Sequence, residues 1–396
     1  MRLVTDRERR ARLATRQAVH PGHRVGDPVA AARSVTCLHA TEAATVHLAV
    51  HARTDGVGPE DVEAALYEER TLVKQVAMRR TLFAVPRDLL PAVLGVAIAR
   101  VAPEQRRLIA RDAERHGIAE DGQAWLESAG AAVVERLTGA GPLSAAQLRA
   151  ELPELAGAIT VNEGKKYGGT FHLAPRVLTW LGVEGRITRA TNAGHWRLPK
   201  PTWTVTSAWL GEEVTPLPLD EAYAELVRRW LHSFGPGTLE DLQWWLGSTK
   251  GAVRAALEAV GAVEVALERA RTGWLLPDDV EPVAEVEPWA TLLPTLDPTT
   301  MGWKGRGHHL DPAHRAFLFD TNGNGGTTAW WDGRIVGAWT QEATGTVRVA
   351  HLPGLDIGRE GRAALDEEAA RLTTWLDGVV IGNVYASRLM KGDVLP

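Results

Sequence analysis

Three residues able to take part in acid–base chemistry lie together near the amino-terminal end of the chain. His39 and Thr41 flank a single alanine, and Glu42 follows directly before an apolar segment. Residues two apart point about 200° apart on a helix, so the imidazole and the hydroxyl can act together only in a turn or at a helix start. A histidine with its ordinary pKa of about 6.5 can accept a proton from water, and a hydroxyl can hold that water. We therefore predict a catalytic site made of His39, Thr41 and Glu42.

The same run also allows a purely structural interpretation. Thr41 is a suitable N-cap, because its hydroxyl can accept a hydrogen bond from an amide in the first turn of a helix. Thr45, Val46 and Leu48 would then supply the buried face of that helix. Taken by itself, the run favours this structural role, and the rest of the chain changes the balance.

The composition is that of an ordinary globular protein. The chain has 396 residues, of which 45% are hydrophobic and 23% charged, and this length suits two to four compact units. No window reaches the roughly 18 consecutive apolar residues of a membrane-spanning helix. The first 30 residues also lack the apolar core of a signal peptide. We therefore expect a cytoplasmic protein that does not bind membranes.

Cysteine and histidine usage argue against a bound metal. Cys37 is the single cysteine, which excludes an intramolecular disulfide and disfavours a zinc site built on thiolates. The thirteen histidines show no convincing ligand spacing. His308, His309, Asp311 and His314 come nearest to a metal-binding set, but we interpret them as a solvated polar loop. The prediction is that the protein uses neither a metal nor another cofactor.

Charge is distributed unevenly along the chain. The net charge is -5, which argues against a protein that coats nucleic acid indiscriminately. The first 33 residues nevertheless hold eight arginines against three acidic residues, a local excess of +5. A locally basic segment of this kind can bind phosphate. Considered without the rest of the chain, however, this segment is better explained as an ordinary charged helix face.

A repeated pattern of helices and strands organises the chain. In two copies a helix ends, Gly-Pro interrupts it, and Ser144 or Thr238 caps the next helix. Each copy continues into a third helix and two short strands, and a weaker copy begins near Gly58. The third helices are predicted at 176–182 and 252–260, and the strands at 79–86, 184–189, 194–198, 261–265 and 273–276. Three helices closed by a β-hairpin make a winged helix, whose third helix can enter a DNA groove.

Beyond about residue 285 the pattern predicts a β-rich module. Strands are predicted at 316–319, 328–331 and 335–340, the last two joined by an Asp-Gly turn, with a covering helix over 360–376. The glycine-rich run 322–326 lacks the ending of a phosphate-binding loop and is interpreted as a turn. The predicted fold class is therefore α+β, with three tandem winged-helix units followed by this module. The predicted limits are 1–125, 126–205, 206–284 and 285–396.

Four segments, taken in order, carry a family resemblance. They are Leu38-His39-Ala40-Thr41, Met78-Arg79-Arg80-Thr81-Leu82-Phe83, Glu184-Gly185-Arg186-Ile187 and Asp297-Pro298-Thr299-Thr300-Met301-Gly302-Trp303-Lys304-Gly305-Arg306. Over nearly its whole length the chain resembles the bacterial AlkZ/YcaQ-like tandem winged-helix DNA glycosylases. Its richness in Ala, Arg and Trp also fits an actinobacterial source of high GC content.

The resemblance implies three winged helices around a concave DNA-binding surface and monofunctional DNA glycosylase activity. Characterised members excise alkylated or crosslinked purines, and some protect producers of DNA-alkylating antibiotics. Their site resembles Gln-apolar-Gln or Gln-apolar-Asp, and here His39 and Thr41 stand at those two positions. An N7-alkylated purine is cationic and leaves readily, so the enzyme needs only to place water at C1′ and stabilise a cationic sugar. We expect His39 and Thr41 to handle that water, and Glu42 to orient His39 or offset the sugar's charge.

The expected partner is double-stranded DNA that is damaged at a base. We expect the protein to be a monomer, because three internal units make a dimer unnecessary. The candidate phosphate contacts are Arg79, Arg80, Lys165, Lys166, Lys304 and Arg306. Most of the 15 tryptophans are expected in the core, with one of each pair, Trp244-Trp245 and Trp330-Trp331, facing inward.

Two other functions stay open. The first is a non-catalytic winged-helix DNA-binding protein, either a regulator or a sensor of damage or of a drug. The second is sequestration of an aromatic small molecule between the units, which the many tryptophans would explain. Release of a base from DNA separates the glycosylase from both alternatives.

Overall fold

Four groups of helices and strands follow one another in the computed structural model, which describes residues 1–161, 163–164 and 168–393. Helices and small sheets occur in every group, so the predicted α+β class is confirmed. Within these residues, no helix combines the length and the apolar character needed to cross a membrane.

The first group holds the sheet that carries the candidate site. Its elements are β1 (Leu3–Val4), α1 (Asp6–Arg16), α2 (Pro28–Ser34), β2 (Leu38–His39), α3 (Ala43–Arg53), α4 (Pro59–Glu63), β3 (Leu72–Val76), β4 (Leu82–Pro86), α5 (Leu90–Val96) and α6 (Ala102–Arg115). Strands β2, β4 and β3 form an antiparallel sheet in that order, and α2 and α3 pack against it. The strand predicted over 79–86 begins only at Leu82.

Helix α3 begins one residue later than the sequence predicts. Glu42 occupies the N-cap position without a side-chain cap hydrogen bond, and Thr41 is exposed in the preceding loop. The prediction that Thr41 caps this helix is therefore wrong. All 11 residues of α3 are buried, so its polar side chains, including His47 and Arg53, need partners inside the protein.

The arginines of α1 are used inside the protein. Arg12 is almost fully buried and pairs with Glu8 and with Asp279, which lies 267 positions further along the chain. Arg16 also pairs with Asp279. These contacts tie α1 to a distant part of the chain, so Arg12 and Arg16 serve in internal ion pairs.

The second group resembles the first in its three-stranded sheet but contains an additional hairpin. Its elements are α7 (Gly122–Thr138), β5 (Leu143–Ser144), α8 (Ala145–Glu151), β6 (Ala158–Val161), β7 (Gly169–His172), α9 (Ala174–Val183), β8 (Ile187–Asn192), β9 (Pro201–Val205) and α10 (Thr206–Leu210). Ser144 caps α8 as predicted. The three-stranded sheet has the order β5-β9-β8, and β6-β7 is the additional hairpin. Because α7 spans positions 125 and 126, the junction between the first two groups lies before Gly122.

One predicted strand of this group is a turn. Residues 194–198 connect β8 to β9 and form no strand. Trp196 in this turn lies against His47 of α3, with ring centroids 4.9 Å apart. The alternation of polar and apolar residues that suggested a strand reflects this contact with the first group.

The third group is α11 (Leu219–Phe234), α12 (Leu239–Leu246), α13 (Lys250–Ala259), β10 (Val263–Leu267) and β11 (Arg271–Leu275). Thr238 caps α12 as predicted, in a reciprocal arrangement with Asp241. Strand β1 adds to this hairpin in parallel with β10, so the amino terminus of the chain completes the third sheet.

The last group is a four-stranded antiparallel sheet covered by a helix. Its elements are β12 (Ala290–Leu293), α14 (Pro298–Met301), α15 (Arg315–Leu318), β13 (Thr328–Trp331), β14 (Arg334–Gln341), β15 (Val347–His351) and α16 (Gly358–Leu376). The Asp332-Gly333 turn and the covering helix are confirmed. The strand predicted at 316–319 is wrong: the neighbours Phe317 and Leu318 are both buried in a short helix, which an alternating strand does not allow.

The histidine pair of this group is buried, not solvated as predicted. His308 and His309 are each 2% exposed, and their nearest ring nitrogens lie 2.9 Å apart. Their rings contact Trp303 and Trp330. Burial lowers both pKa values well below the ordinary range, so the pair is neutral core structure.

Candidate active site

His39 is a buried imidazole without a hydrogen-bond partner. It lies at the end of β2, opposite Phe83 of β4, with ring centroids 5.0 Å apart. The residue is 6% exposed, and neither ring nitrogen has a partner among the described residues. Burial, followed by the charge of Arg79, lowers the pKa of His39 to about 3. The imidazole is therefore neutral at physiological pH, with one N–H and one lone pair available to a ligand.

A tight turn brings Arg79 to this imidazole. Arg79 and Arg80 connect β3 to β4, and both have positive φ, 55° and 57°. This conformation is costly for residues other than glycine and persists only where the surroundings hold it. Gly247, at the end of α12, allows the close approach, since a Cβ there would lie 3.0 Å from Arg79 Cγ. The turn and α12 therefore fix the direction of the Arg79 side chain.

Arg79 belongs to an arginine–tryptophan cluster, which we define as Arg79, Trp244, Arg306 and Phe319. The Arg79 guanidinium lies 4.2 Å from the centre of the Trp244 ring, and that of Arg306 lies 5.4 Å from the same ring. Arg306 is also 4.5 Å from the Phe319 ring and donates from Nε to the Thr300 carbonyl. Contacts of a cation with an aromatic face are favourable, so the rings hold both guanidinium groups in place.

The charges of the arginine–tryptophan cluster are not neutralised. Among the described residues, no carboxylate pairs with Arg79 or Arg306, and Nε of Arg79 and Nη2 of Arg306 are buried without partners. Asp241 attracts Arg306, but its oxygens accept hydrogen bonds from Thr238 and from the Gly305 amide. Burial lowers the pKa of both arginines to about 10. Two neighbouring cations with unused donors are suited to an anionic ligand.

Thr41 and Glu42 lie beside His39 in the sequence but differ from it in their contacts. The Thr41 side chain is exposed. Glu42 is buried, and its Oε1 accepts hydrogen bonds from the amides of Val384 (2.6 Å) and Tyr385 (3.2 Å). Burial raises the pKa of Glu42, and the two amides oppose that shift. Because Glu42 makes no hydrogen bond to His39, the prediction that it orients the imidazole is wrong.

The six predicted phosphate contacts fall into three sets. Arg79 and Arg306 lie inside the arginine–tryptophan cluster. Arg80 and Lys304 are half exposed and make long ion pairs to Glu104 (3.5 Å) and Glu240 (3.9 Å). Lys165 and Lys166 lie outside the described residues. The structure therefore brings two of the six together at Trp244, one of them, Arg79, close to His39, and leaves two on the surface.

Sequence reasoning missed the aromatic part of this site. Of the neighbouring tryptophans, Trp245 is 5% exposed while Trp244 is half-buried, and Trp330 is fully buried while Trp331 is half-buried. One residue of each pair therefore faces inward, as predicted. The outer member of the first pair, Trp244, is the one that holds the two arginines, and the paired tryptophans were the available signal.

This fold and site define an α+β protein with repeated groups of helices and hairpins and a positively charged site beside a neutral imidazole. The family model described as DNA glycosylase AlkZ-like matches residues 32–375. The chain therefore belongs to the AlkZ-like DNA glycosylase family, and the resemblance seen in its motifs is confirmed.

A solved structure supports the shared fold. The DNA glycosylase AlkZ of Streptomyces sahachiroi is similar to this chain with a TM-score of 0.74 and 21% sequence identity. The similarity covers 94% of this chain and 98% of that one. No curated protein matches the chain.

Proposed function

We propose that the protein is a monofunctional DNA glycosylase that hydrolyses the N-glycosidic bond of alkylated, N7-type purines in duplex DNA. Its family supports the class of reaction. The observation that carries the site is His39, a buried imidazole whose two ring nitrogens have no partner. Since buried polar groups are normally hydrogen-bonded, this group is available to a bound water or substrate.

The proposed reaction requires little catalysis from the protein, because a cationic N7-alkylated purine leaves readily. The water oxygen forms a bond to C1′ as the bond from C1′ to N9 breaks, and the bonding electron pair neutralises the cationic purine. One water proton is released. Since the low pKa of about 3 makes His39 a weak base, it accepts a hydrogen bond and orients the water without retaining the proton. Thr41 holds the same water, and the Glu42 carboxylate offsets positive charge on the sugar.

The arginine–tryptophan cluster is proposed to bind the DNA backbone beside the target nucleotide. Left bare, Arg79 and Arg306 would repel a cationic purine, so a phosphate held between them also lowers that repulsion. A nucleotide rotated out of the duplex presents its flanking phosphates in this way. Arg80 and Lys304 are proposed to contact phosphates further out, and Lys165 and Lys166 to do the same.

The repeated groups are proposed to be winged helices that surround the DNA, with the predicted limits shifted as the helices require. The sheets of the first two groups, β2-β4-β3 and β5-β9-β8, have the same strand arrangement. A monomer with three such groups can contact one duplex at several points, so no dimer is needed.

The test is release of a damaged base. Purified protein in excess over a duplex with one 7-methylguanine is expected to create abasic sites, detected as strand breaks after alkali. His39→Ala is expected to lower the single-turnover rate at least tenfold. His116→Ala, a change at an exposed histidine, is the matched control and should retain the rate. An unchanged rate in His39→Ala would remove His39 from the mechanism.

A second function is favoured by one observation. His39 has no acidic partner to hold it in one orientation, as a catalytic base commonly does. This favours a non-catalytic DNA-binding protein that regulates genes or senses damage. It would bind duplex DNA through the arginine–tryptophan cluster and release no base from a panel of alkylated substrates.

A further inference from the structure

A second group of cations lies on the opposite face of the first sheet. We define the lysine–tyrosine–arginine cluster as Lys74, Tyr67 and Arg189. In the sheet register His39 is paired with Phe83, whereas Lys74 is paired with the next residue of β4, Ala84. Neighbouring residues of a strand point to opposite faces, so Lys74 and His39 lie on different sides of the sheet.

The members of this cluster come from two groups of the fold. Tyr67 follows α4, Lys74 is in β3, and Arg189 is in β8 of the second group. Lys74 Nζ donates a hydrogen bond to the Tyr67 hydroxyl at 2.7 Å. The Arg189 guanidinium lies 4.7 Å from the centre of the Trp203 ring, which supports it from one side. All three residues are partly exposed.

Donors outnumber acceptors in this cluster. Among the described residues no carboxylate forms an ion pair with Lys74 or Arg189. Glu63 is close enough to attract Lys74, but it accepts a hydrogen bond from His47 Nε2 at 3.1 Å. Because Tyr67 accepts from Lys74, its own O–H remains free to donate. An ammonium, a guanidinium and a hydroxyl thus converge with donors to spare.

The electrostatics of Lys74 agree with this picture. Burial, opposed by the charge of Glu63 and aided by that of Arg189, lowers the pKa of Lys74 to about 8. Burial likewise lowers the pKa of Arg189 to about 10. An anion placed between the two side chains would relieve their repulsion.

We propose that Lys74, Tyr67 and Arg189 bind a phosphate of the DNA backbone, forming a second phosphate site separate from the one beside His39. This inference rests on duplex DNA being the substrate, as in the proposed function. The turn between β8 and β9 lies nearby, because Trp196 contacts His47, and it also contacts Trp375 of α16. A phosphate bound here would therefore bridge the first two groups and set their position on the duplex.

The experiment measures binding of an undamaged duplex by fluorescence anisotropy over a series of salt concentrations. Lys74→Gln and Arg189→Gln are each expected to weaken binding roughly tenfold at low salt. Each should also reduce the slope of log affinity against log salt by about 0.9, the value for one lost phosphate contact. Lys74→Arg keeps the charge and should bind nearly as wild type.

Two controls separate this site from a general loss of charge or of folding. Arg176→Gln removes a half-buried arginine that is paired with Asp112, and its binding should stay close to wild type. Amine acetylation of Lys74 in the wild-type protein, followed by mass spectrometry, reports the site without any substitution. Duplex DNA is expected to slow this acetylation.

The outcomes are distinct. Wild-type affinity and salt slope in both glutamine variants would overturn the proposal, as would protection of Lys74 by inorganic phosphate but not by duplex. If wild type binds duplex through this cluster but releases no base, the phosphate site stands and the glycosylase proposal fails. If wild type binds no duplex, both proposals fall.

Discussion

Arg53 and Arg79 are both withdrawn from solvent, but their surroundings differ. Arg53 is fully buried, and its two terminal nitrogens donate to both oxygens of Asp297 at 2.8 and 2.9 Å and to the Thr299 hydroxyl at 2.7 Å. Arg79 has no carboxylate partner among the described residues. Its guanidinium is supported by the ring of Trp244 instead. The terminal nitrogens of Arg53 are satisfied within the fold and only its Nε lacks a partner, whereas Arg79 has no carboxylate to pair with among the described residues.

We propose that this difference separates a structural site from a functional one. The pair Arg53–Asp297 joins the end of α3 to the start of α14, so its bonds are made when the chain folds. Arg79, Arg306 and His39 keep polar atoms unpartnered, which costs roughly 1–3 kcal/mol for each buried group.

The largest effect is expected from breaking the satisfied pair. Arg53→Ala leaves the Asp297 carboxylate buried without its cation and should lower the free energy of unfolding by about 3–5 kcal/mol. Urea denaturation followed by circular dichroism measures the change. Arg87→Ala is a control, since the exposed pair of Arg87 with Glu212 should contribute less than about 1 kcal/mol. Equal losses in the two variants would abolish the distinction between buried and exposed pairs.

Acid should destabilise the protein through its unpartnered imidazoles. Burial lowers the pKa of His39 to about 3 and that of His51 to about 2. The unfolded chain, with histidine pKa values of about 6.5, then binds more protons, so stability is present above pH 6.5 and is lost as the pH falls. Each imidazole should contribute a loss of up to roughly 1.4 kcal/mol per pH unit. His51→Phe should flatten the profile measured from pH 7 to pH 4.5, and an unchanged slope would contradict the assignment.

Removing an unsatisfied arginine should affect binding and spare stability. Arg306→Gln takes away one of two repelling cations, so the free energy of unfolding should stay within about 1 kcal/mol of wild type. Affinity for duplex DNA should fall roughly tenfold, because a charge-assisted contact is lost. The exposed Arg348, paired with Glu342, supplies the control Arg348→Gln, which should bind as wild type. Loss of stability without loss of binding would make Arg306 a structural residue.

The smallest effect is expected at Thr41. This exposed side chain should tolerate Thr41→Val within about 0.5 kcal/mol of stability, while the rate of base release falls several-fold. Thr45→Val is the matched change, because the Thr45 hydroxyl donates to the buried Thr295 carbonyl and its loss should cost about 1 kcal/mol. A Thr41 variant with full activity would exclude its proposed role in holding water.

Local sequence patterns predicted the parts of the fold that depend on local contacts. The caps Ser144 and Thr238, the Asp332-Gly333 turn and the helix α16 were all predictable. Each rests on residues within about four positions of one another, where a hydroxyl reaches an amide or an apolar stripe repeats. The family resemblance likewise came from short motifs in a fixed order.

The candidate site was predictable only in part. His39, Arg79 and Arg306 were named from the sequence, but the meeting of Arg79 and Arg306 at Trp244 joins residues far apart in the chain. Thr41 as a helix cap and Glu42 as a partner of His39 failed, because the amides of Val384 and Tyr385 take up the carboxylate. No local pattern reveals a partner more than 300 positions away.

The sequence by itself determined the helix caps Ser144 and Thr238, which family the motifs resemble and which residue types are able to carry chemistry. The tertiary structure alone decided which charges are paired. Arg12 pairs with Asp279 and Arg53 with Asp297, across more than 240 positions of the chain. Arg79 and Lys74 have no carboxylate partner among the described residues. The physical reason is that spacing along the chain fixes hydrogen bonds within a turn or a helix. The neutralisation of a buried charge depends on what folding brings next to it.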